Sequence, residues 1–454
     1  MYLGKLRDIA AHEIKAGVSD IVIAIPAWFN EAQRRAILDA AQIAGLNCLR
    51  LINDTTAVAL GYGITKSELP LEEEPPRHVC FVDVGHSNMS VSVVAYQKGR
   101  LTMKATAFNR NLGGRDIDLA LVQHFAKEFK DKYKIDVMSN PKAVFRLTAG
   151  CEKLKKVLSA NAESPLSVES IMNDVDASSR LTREAYEELI SHVLDGIVGP
   201  IHEALAESGL TVEQIDAIEL VGGSTRIPAV RQRIVSCFPG KTLSNTLNQD
   251  EAIARGATFA CAILSPVFRV RDFSVIDINH HPIKVQWAKT PEDEDSELVV
   301  FPRGNSVPST KILTFYRKEP FEIEADYAEP ATTPGVNPWI GRLTCKQAPS
   351  QVDAAGELPA VKVKVKLGLH GTLSFEQVYY EEIEEKEDTA NMEVDGEAKP
   401  KKKRIVRKKD LSFVVGTSSL DSSTINTLRE AENTMHAADK LVMDTEVRTL
   451  IASV

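Results

Sequence analysis

Residues 217–230, AIELVGGSTRIPAV, constrain the fold more than any other stretch: an apolar strand passes through two adjacent glycines into a helix start. Ala217, Ile218, Leu220 and Val221 form the strand and Gly222 and Gly223 the turn; Ser224 and Thr225 can cap the next helix, and Pro228 suits its first turn. Glycines carry no Cβ, so the backbone can approach a ligand closely there, and a helix N-terminus offers free N–H groups to a phosphate. The same pattern also serves as a tight turn whose glycines are needed for packing. The stretch by itself leaves both readings open.

The chain before it alternates strands and helices. Ile21–Ile25 is a short β-branched strand ended by Pro26. Asn30 caps a helix, EAQRRAILDAAQIA, that stops at Gly45. A strand at 48–52 leads to Asn53-Asp54-Thr55-Thr56, which caps the helix AVALGYGI. This β-α-β-α order predicts an α/β layer. Beyond an acidic, proline-bearing loop at 69–77, a meander turns at Gly85-His86-Ser87-Asn88 and again at Gln97-Lys98-Gly99. Asp83 stands at the tip of its first strand, where a carboxylate can hold a hydrated Mg²⁺ or bond its own turn backbone.

A second diglycine turn, Leu112-Gly113-Gly114-Arg115-Asp116, opens a helix with Val122, Phe125, Ala126, Phe129 and Tyr133 on one face. The next helix, about 141–160, buries Val144, Leu147, Cys151, Leu154 and Leu158. Its other stripe, Glu152, Lys155, Lys156 and Ser159, reads either as a nucleoside wall or as a solvated face. A strand at 166–172 and one long helix at 182–208 follow. Asn248–Glu251 cap AIARGATFACAIL, whose small residues permit close helix packing.

From residue 274 the apolar period changes to two, most clearly in AVKVKVKLGL, with Val361, Val363, Val365 and Leu367 inward and the lysines outward. Repeated short strands of this kind predict an antiparallel sandwich. The acidic run 381–395 and the basic run Lys399–Lys409 together predict a disordered insertion between strands. The basic half reads as a nuclear-import signal or a self-neutralising solvated loop. Asp421–Ser423 can cap a final helix.

A chain of 454 residues accommodates two or three domains, and its 43% apolar content supplies each with a core. The net charge of −9 argues against general nucleic-acid binding. The six cysteines, at 48, 80, 151, 237, 261 and 345, form no CxxC pair and lie in apolar contexts. Buried free thiols of a reducing compartment are expected. No apolar run reaches about eighteen residues, so no membrane helix is predicted. MYLGKLRDIAAHEIKAG has helical spacing rather than signal-peptide form. A domain opening on such a helix is expected to be cut upstream.

With these stretches in place, the chain resembles the heat shock protein 70 family, and more closely its large 110-type branch. The motifs IAIPAWFNEAQRRAILDAAQIAGLNCLRLINDTTAVALGYG, NLGGRDIDLAL, LVGGSTRIPAV, NQDEAIARGATFACAIL and STKILTFYR carry the resemblance in order over almost the whole chain. It implies an incomplete α/β actin-like (ribonuclease H-like) ATPase domain over 1–264, a linker at 265–273, a β-sandwich substrate-binding domain over 274–420 and the start of a helical lid at 421–454. ATP or ADP with Mg²⁺ is the implied cofactor set. By that likeness Gly85, Gly113 and Gly114 approach the phosphates, and Glu152, Lys155, Lys156 and Ser159 flank the adenosine. Gly222, Gly223, Ser224 and Arg226 close over the adenine side with Asp250 near them. Asp83 faces the metal, and Asp54 takes the family's acidic position near the attacking water, so these two form the implied catalytic set. Pro26 and Arg34 match residues that relay nucleotide state to the second domain.

Three departures shape the functional expectation. The phosphate hairpin reads Asp83-Val84-Gly85-His86-Ser87-Asn88, with His86 and Ser87 in place of glycines, so the backbone approaches phosphate less freely; Met89-Ser90 also loses a carboxylate. The connector VFRVRDFSV lacks the leucine-rich run of ordinary members. The family's first phosphate hairpin and its lysine are missing, which with an incomplete lid implies a fragment truncated at both ends. The expected function is an ATP-binding co-chaperone, weak in hydrolysis at most, that exchanges nucleotide on a heat shock 70 partner and holds unfolded clients. The alternatives are an ATP-hydrolysing foldase, or a fragment that does neither. Tyr316, Phe321 and Trp339 are candidate client anchors, with core positions as the other reading. A cytoplasmic protein is expected, with the nucleus as an alternative location, and with no nucleic-acid or membrane partner.

Overall fold

The computed structural model describes residues 1–335, 337–349, 360–387 and 402–452. The chain divides into two compact units, residues 53–276 and residues 1–52 together with 277–454. These units cut the chain differently from the domains expected at 264 and 274. Ser274, Val275 and Ile276 pair in parallel with Arg100, Leu101 and Thr102, which adds the end of the connector to the 53–276 unit. Residues 1–52 bond instead to loops of the sandwich.

In the 53–276 unit the strands lie in the order Ser274–Ile278, Arg100–Asn109, Met89–Gln97, Arg77–Val84, Ala217–Val221, Leu243–Ser244. Arg77–Val84 pairs antiparallel with Met89–Gln97 on one side and parallel with Ala217–Val221 on the other. Both strands therefore end at the same edge of the sheet, where Asp83 stands beside Val221. The helices Gly114–Tyr133 and Pro141–Leu158 bury Leu121, Phe125, Phe129, Leu147, Cys151 and Leu158 in one core with Val82, Val91 and Leu220 of the sheet. The expected helix over 182–208 is three helices, Arg183–Leu189, Ser191–Asp195 and Val198–Ser208. The first break falls at Ile190 and the second at Gly196, where Leu112 packs closely: a Cβ there would lie 2.6 Å from Leu112 Cδ1. The strand Val175–Thr182, which the sequence does not signal, pairs with Glu163–Met172.

The other unit holds the sandwich. One sheet runs Glu297–Phe301, Ile283–Trp287, Phe321–Tyr327, Trp339–Cys345, Phe413–Thr417; the other runs Ser309–Tyr316, Ala360–Leu367, Leu373–Glu387, Lys402–Asp410. Val361, Val363, Val365 and Leu367 are fully buried between them, as their alternation predicts. Lys362, Lys364 and Lys366 instead pair with Glu381 and Glu376. The expected disordered insertion over 381–410 holds strands at both its ends, because 379–387 and 402–410 pair in register. Residues 388–401 lie outside the described residues. The helix Ser422–Ala452 packs along Glu31–Ile43, with Arg429 donating to Gln42 O. Asn30 caps Glu31–Ile43, as read from sequence, and the structure adds Gln33, whose side chain completes a capping box. All six cysteines are free thiols. Among the described residues no helix is long and apolar enough to cross a membrane.

The floor beneath the 53–276 sheet edge is a close helix pair, Asp54–Ile64 against Ala252–Leu264. A Cβ on Gly256 would overlap the carbonyl of Ala57, and one on Gly61 would lie 3.5 Å from Gly256 Cα. Backbone cannot retreat as a side-chain end can, so Gly256→Ala is expected to cost about 3 kcal/mol, at the upper end for overpacking. Gly199→Ala, in open space on an exposed helix, should be neutral or gain up to about 1 kcal/mol. Urea midpoints of the two variants check this; equal midpoints would contradict the close packing.

Candidate functional site

A cavity of about 730 Å³ opens at the shared edge of Arg77–Val84 and Ala217–Val221. Ligands of α/β sheets bind at this end of parallel strands. Asp54, Asp83 and Gly85 form one wall, and Gly114, Lys155, Lys156 and Ser159 a second. Gly222, Gly223, Ser224, Arg226 and Asp250 form the third. Gly113 and Glu152 do not reach the surface of the cavity. His86, Asn88, Ile227, Gln249 and Ile253 do, and were not among the expected site residues. Gln249 and Ile253 sit inside the motif NQDEAIARGATFACAIL, but nothing in their spacing marks them as facing a ligand.

The two glycine pairs serve both roles open to them in the sequence. A Cβ on Gly113 would overlap His86 O, and one on Gly222 would overlap Asp83 Oδ1 and Val84 O. Gly222 also has φ +84°, a left-handed backbone that favours glycine. The first glycine of each pair therefore lets the 83–88 hairpin sit down on the chain. The second glycines, Gly114 and Gly223, line the cavity, and Gly222 does so as well. Two hydrogen bonds lock this arrangement: Gly114 N–H donates to Gly85 O at 3.0 Å, and Ser224 Oγ donates to Gly85 O at 2.9 Å.

Ser224 and Thr225 do not cap the following helix. They lie in a 3₁₀ turn, Gly223–Arg226, and the helix Pro228–Ser236 begins at Pro228 with Ile227 as its N-cap. Their hydroxyls are spent on Gly85 O and Gly222 O. A helix N-terminus does meet the cavity at Gly114, but its amides are occupied: Gly113 N–H by Asp116, Gly114 N–H by Gly85 O and Arg115 N–H by His86 O.

Charge is distributed in two zones. Asp83 is partly buried on the cavity wall, and desolvation there, helped by the nearby Asp54 charge, pushes its carboxyl up to about 7. Asp54 opens the helix Asp54–Ile64 and accepts from Thr55 N–H at 2.7 Å. Two carboxylates on one wall, one of them raised, fit a divalent cation, which relieves their mutual repulsion. On the facing walls each cation has a carboxylate. Lys155 bonds Asp118 at 2.8 Å, buried; Lys156 bonds Glu152 at 2.6 Å; Arg226 bonds Asp250 through both oxygens at 3.2 and 2.7 Å. Glu152 stands behind Lys156, and its charge also acts on Lys155 and His86 of the cavity wall.

The unit of residues 1–52 and 277–454 carries two further features. Pro26 ends the strand Asp20–Ile25, and Arg34 is buried, donating to Phe29 O, Ala27 O and His370 O. Beside it, both carboxylate oxygens of Glu31 accept from Leu373 N–H at 3.2 Å, while Arg35 bonds Glu31 and Leu373 O at 2.7 Å. Burial outweighs these partners and pushes Glu31 up to about 7. The helix Glu31–Ile43 is thereby fastened to the 368–373 turn of the sandwich. Second, a pocket of about 880 Å³ lies between the loops 288–296 and 317–320, with Trp287, Tyr316 and Phe321 on its walls. A buried ion pair, Arg317 to Asp293 at 2.8 Å, joins the two loops. Trp339 stands away from it, opposite Asp326 in the neighbouring strand, and Trp287 takes the place expected for it.

Comparison with known proteins agrees over the whole length. A family model described as Hsp70 protein matches residues 1–450. The chain is 50% identical to heat shock protein hsp88 of Neurospora crassa over 98% of its own length and 64% of that protein. It is 46% identical to a heat shock protein homolog of Saccharomyces cerevisiae, over 99% of the chain and 65% of that protein. It is 47% identical to heat shock 70 kDa protein 4 of Homo sapiens, over 88% of the chain and 47% of that protein. The chain thus spans somewhat under two thirds of the length of the fungal relatives and about half of the human one.

The raised Asp83 makes stability depend on pH. A carboxyl near 3.8 when unfolded and about 7 when folded holds its proton better in the folded chain. Its contribution is fully present below pH 3.8 and is lost as pH rises through about 7. In buffer free of divalent ions, Asp83→Asn should raise the melting midpoint of the 53–276 unit at pH 8 by at least about 2–4 °C, with no gain at pH 4. A midpoint lowered at pH 8 would contradict the burial argument.

Proposed function

The chain belongs to the Hsp70 protein family, within its 110-type branch, and on that premise we propose an adenyl-nucleotide-binding co-chaperone that drives nucleotide exchange on a heat shock 70 partner and holds unfolded clients. The observation that carries the nucleotide part is the cavity itself. It combines a two-carboxylate wall, a hairpin seated on two glycine pairs, and two apolar side chains, Ile227 and Ile253, that suit a base. Mg²⁺, when bound, neutralises phosphate charge. Asp83 and Asp54 would hold it through their carboxylates or through water, and the second glycines would leave room for the phosphates. Lys155 is already committed to Asp118, so it shapes the wall rather than carrying a free charge to the ligand.

Weak hydrolysis follows from what stands near Asp83. Ser90, its register partner, is buried in the strand Met89–Gln97 and receives a bond from Asn88 Nδ2 at 3.4 Å. It supplies no carboxylate at the place where the family resemblance expects one. A nucleotide held without efficient hydrolysis suits a protein whose nucleotide state is a structural element of its partner surface rather than a motor. The 880 Å³ pocket supports the client part: an aromatic wall of Trp287, Tyr316 and Phe321 offers apolar contact to an extended segment, and the Arg317–Asp293 pair keeps its loops together. A cytoplasmic location belongs to the same proposal.

The hydrolysing foldase remains the second reading, because both Asp54 and Asp83 reach the cavity. Labelled ADP release from a purified heat shock 70 chaperone separates the two. Addition of this chain with Mg-ATP is expected to accelerate release by at least about tenfold, a change of about 1.4 kcal/mol in barrier. Unchanged release, together with steady turnover of ATP stimulated by peptide, would favour the foldase and overturn the exchange proposal.

A further inference from the structure

The basic side chains of the nucleotide cavity are unequally committed. Lys155, Lys156 and Arg226 each hold a carboxylate, as described above. The first amides of the helix Gly114–Tyr133 are spent on Asp116, Gly85 O and His86 O. His86 differs from all of these. Its side chain is exposed on the cavity wall; among the described residues its imidazole makes no hydrogen bond or close ion pair, and the Glu152 carboxylate, itself bonded to Lys156, acts on it only through space. Its backbone is fixed, because His86 O accepts from Arg115 N–H at 2.8 Å and the hairpin is closed by Gly85 N–H to Asn88 O at 3.1 Å. His86 Cα lies 3.7 Å from where a Cβ on Gly114 would stand, so the imidazole springs from the wall next to the glycine that opens to the cavity.

We propose that His86 is a nucleotide-binding residue of this chain, its imidazole donating a hydrogen bond to the phosphates of a bound nucleoside diphosphate or triphosphate. The inference rests on the nucleotide reading given above. A glycine at this position contributes only its amide and its small size. A histidine supplies a side-chain donor at the same place, on a hairpin whose own position is set by Gly113 and Gly222. It compensates in donor chemistry for what the hairpin loses in closeness of approach. The opposing view is that His86 is an obstacle, and that the hairpin binds phosphate poorly because of it. The two views predict opposite signs for one substitution.

Calorimetric titration of the full chain with Mg-ADP and, separately, with adenosine tests this, using His86→Gly and His86→Gln. His86→Gly is expected to weaken Mg-ADP about tenfold, the scale of one charge-assisted hydrogen bond, and to leave adenosine within about twofold. His86→Gln, which keeps an N–H donor, should recover most of the lost affinity. Mg-ADP binding to His86→Gly that equals or exceeds that of the unsubstituted chain overturns the proposal. So does an equal loss for adenosine and Mg-ADP, which would mark a structural effect on the cavity. Failure of the unsubstituted chain to bind Mg-ADP overturns the nucleotide reading itself, and this inference with it.

Discussion

Close approach of three backbone segments determines what the cavity can be. The hairpin at 83–88 lies against the chain at Gly113 on one side and at Gly222 on the other, and at both contacts a Cβ would overlap backbone or carboxylate atoms. Gly85 O sits at the centre, accepting from Gly114 N–H and from Ser224 Oγ. These bonds join segments that are far apart in sequence, so the cavity exists only when the whole 53–276 unit is folded. Gly256 against Ala57 repeats the device in the helix pair that carries Asp54. Once the segments are this close, the remaining freedom is in side chains: which carboxylates face which cations, and which donors are left over.

Burial then sets the electrostatics in both units. Asp83 and Glu31 are acids held near neutrality by the protein around them, one at the cavity and one where the helix Glu31–Ile43 meets the sandwich. Each is costly to ionise unless something answers its charge. For Glu31 part of the answer is built in, through Arg35 and the Leu373 amide, although burial still outweighs them. For Asp83 the charge that acts on it is a like one, Asp54, so its carboxyl keeps its proton up to about 7. That asymmetry distinguishes a structural acid from a binding one in this chain.

Much of this was legible in the sequence. Period-two alternation placed Val361, Val363 and Val365 inward, Asn30 read as a helix cap, and the family resemblance grouped Asp54, Asp83, Lys155, Gly223 and Asp250, which line one cavity. What failed depended on distant partners. That Gly222 seats a hairpin as well as lining the cavity is set by Asp83 and Val84, well over a hundred residues away. Ser224 looked like a helix cap because its neighbours in sequence suit one, yet Gly85 O claims its hydroxyl. Leu112 breaks the helix at Gly196, a contact invisible locally. The acidic run from 381 looked unfolded by composition, but it continues a strand whose first half buries Leu373, Phe375 and Val378.

The central claim, that the 53–276 unit presents a competent nucleotide cavity, is tested most directly by thermal unfolding of the chain with increasing Mg-ATP. A ligand that binds only the folded state stabilises it by RT ln(1 + [L]/Kd), so the midpoint should climb steadily as ligand is raised above Kd. A cooperative transition whose midpoint stays fixed at millimolar Mg-ATP would contradict the account: the glycine pairs would then serve packing alone.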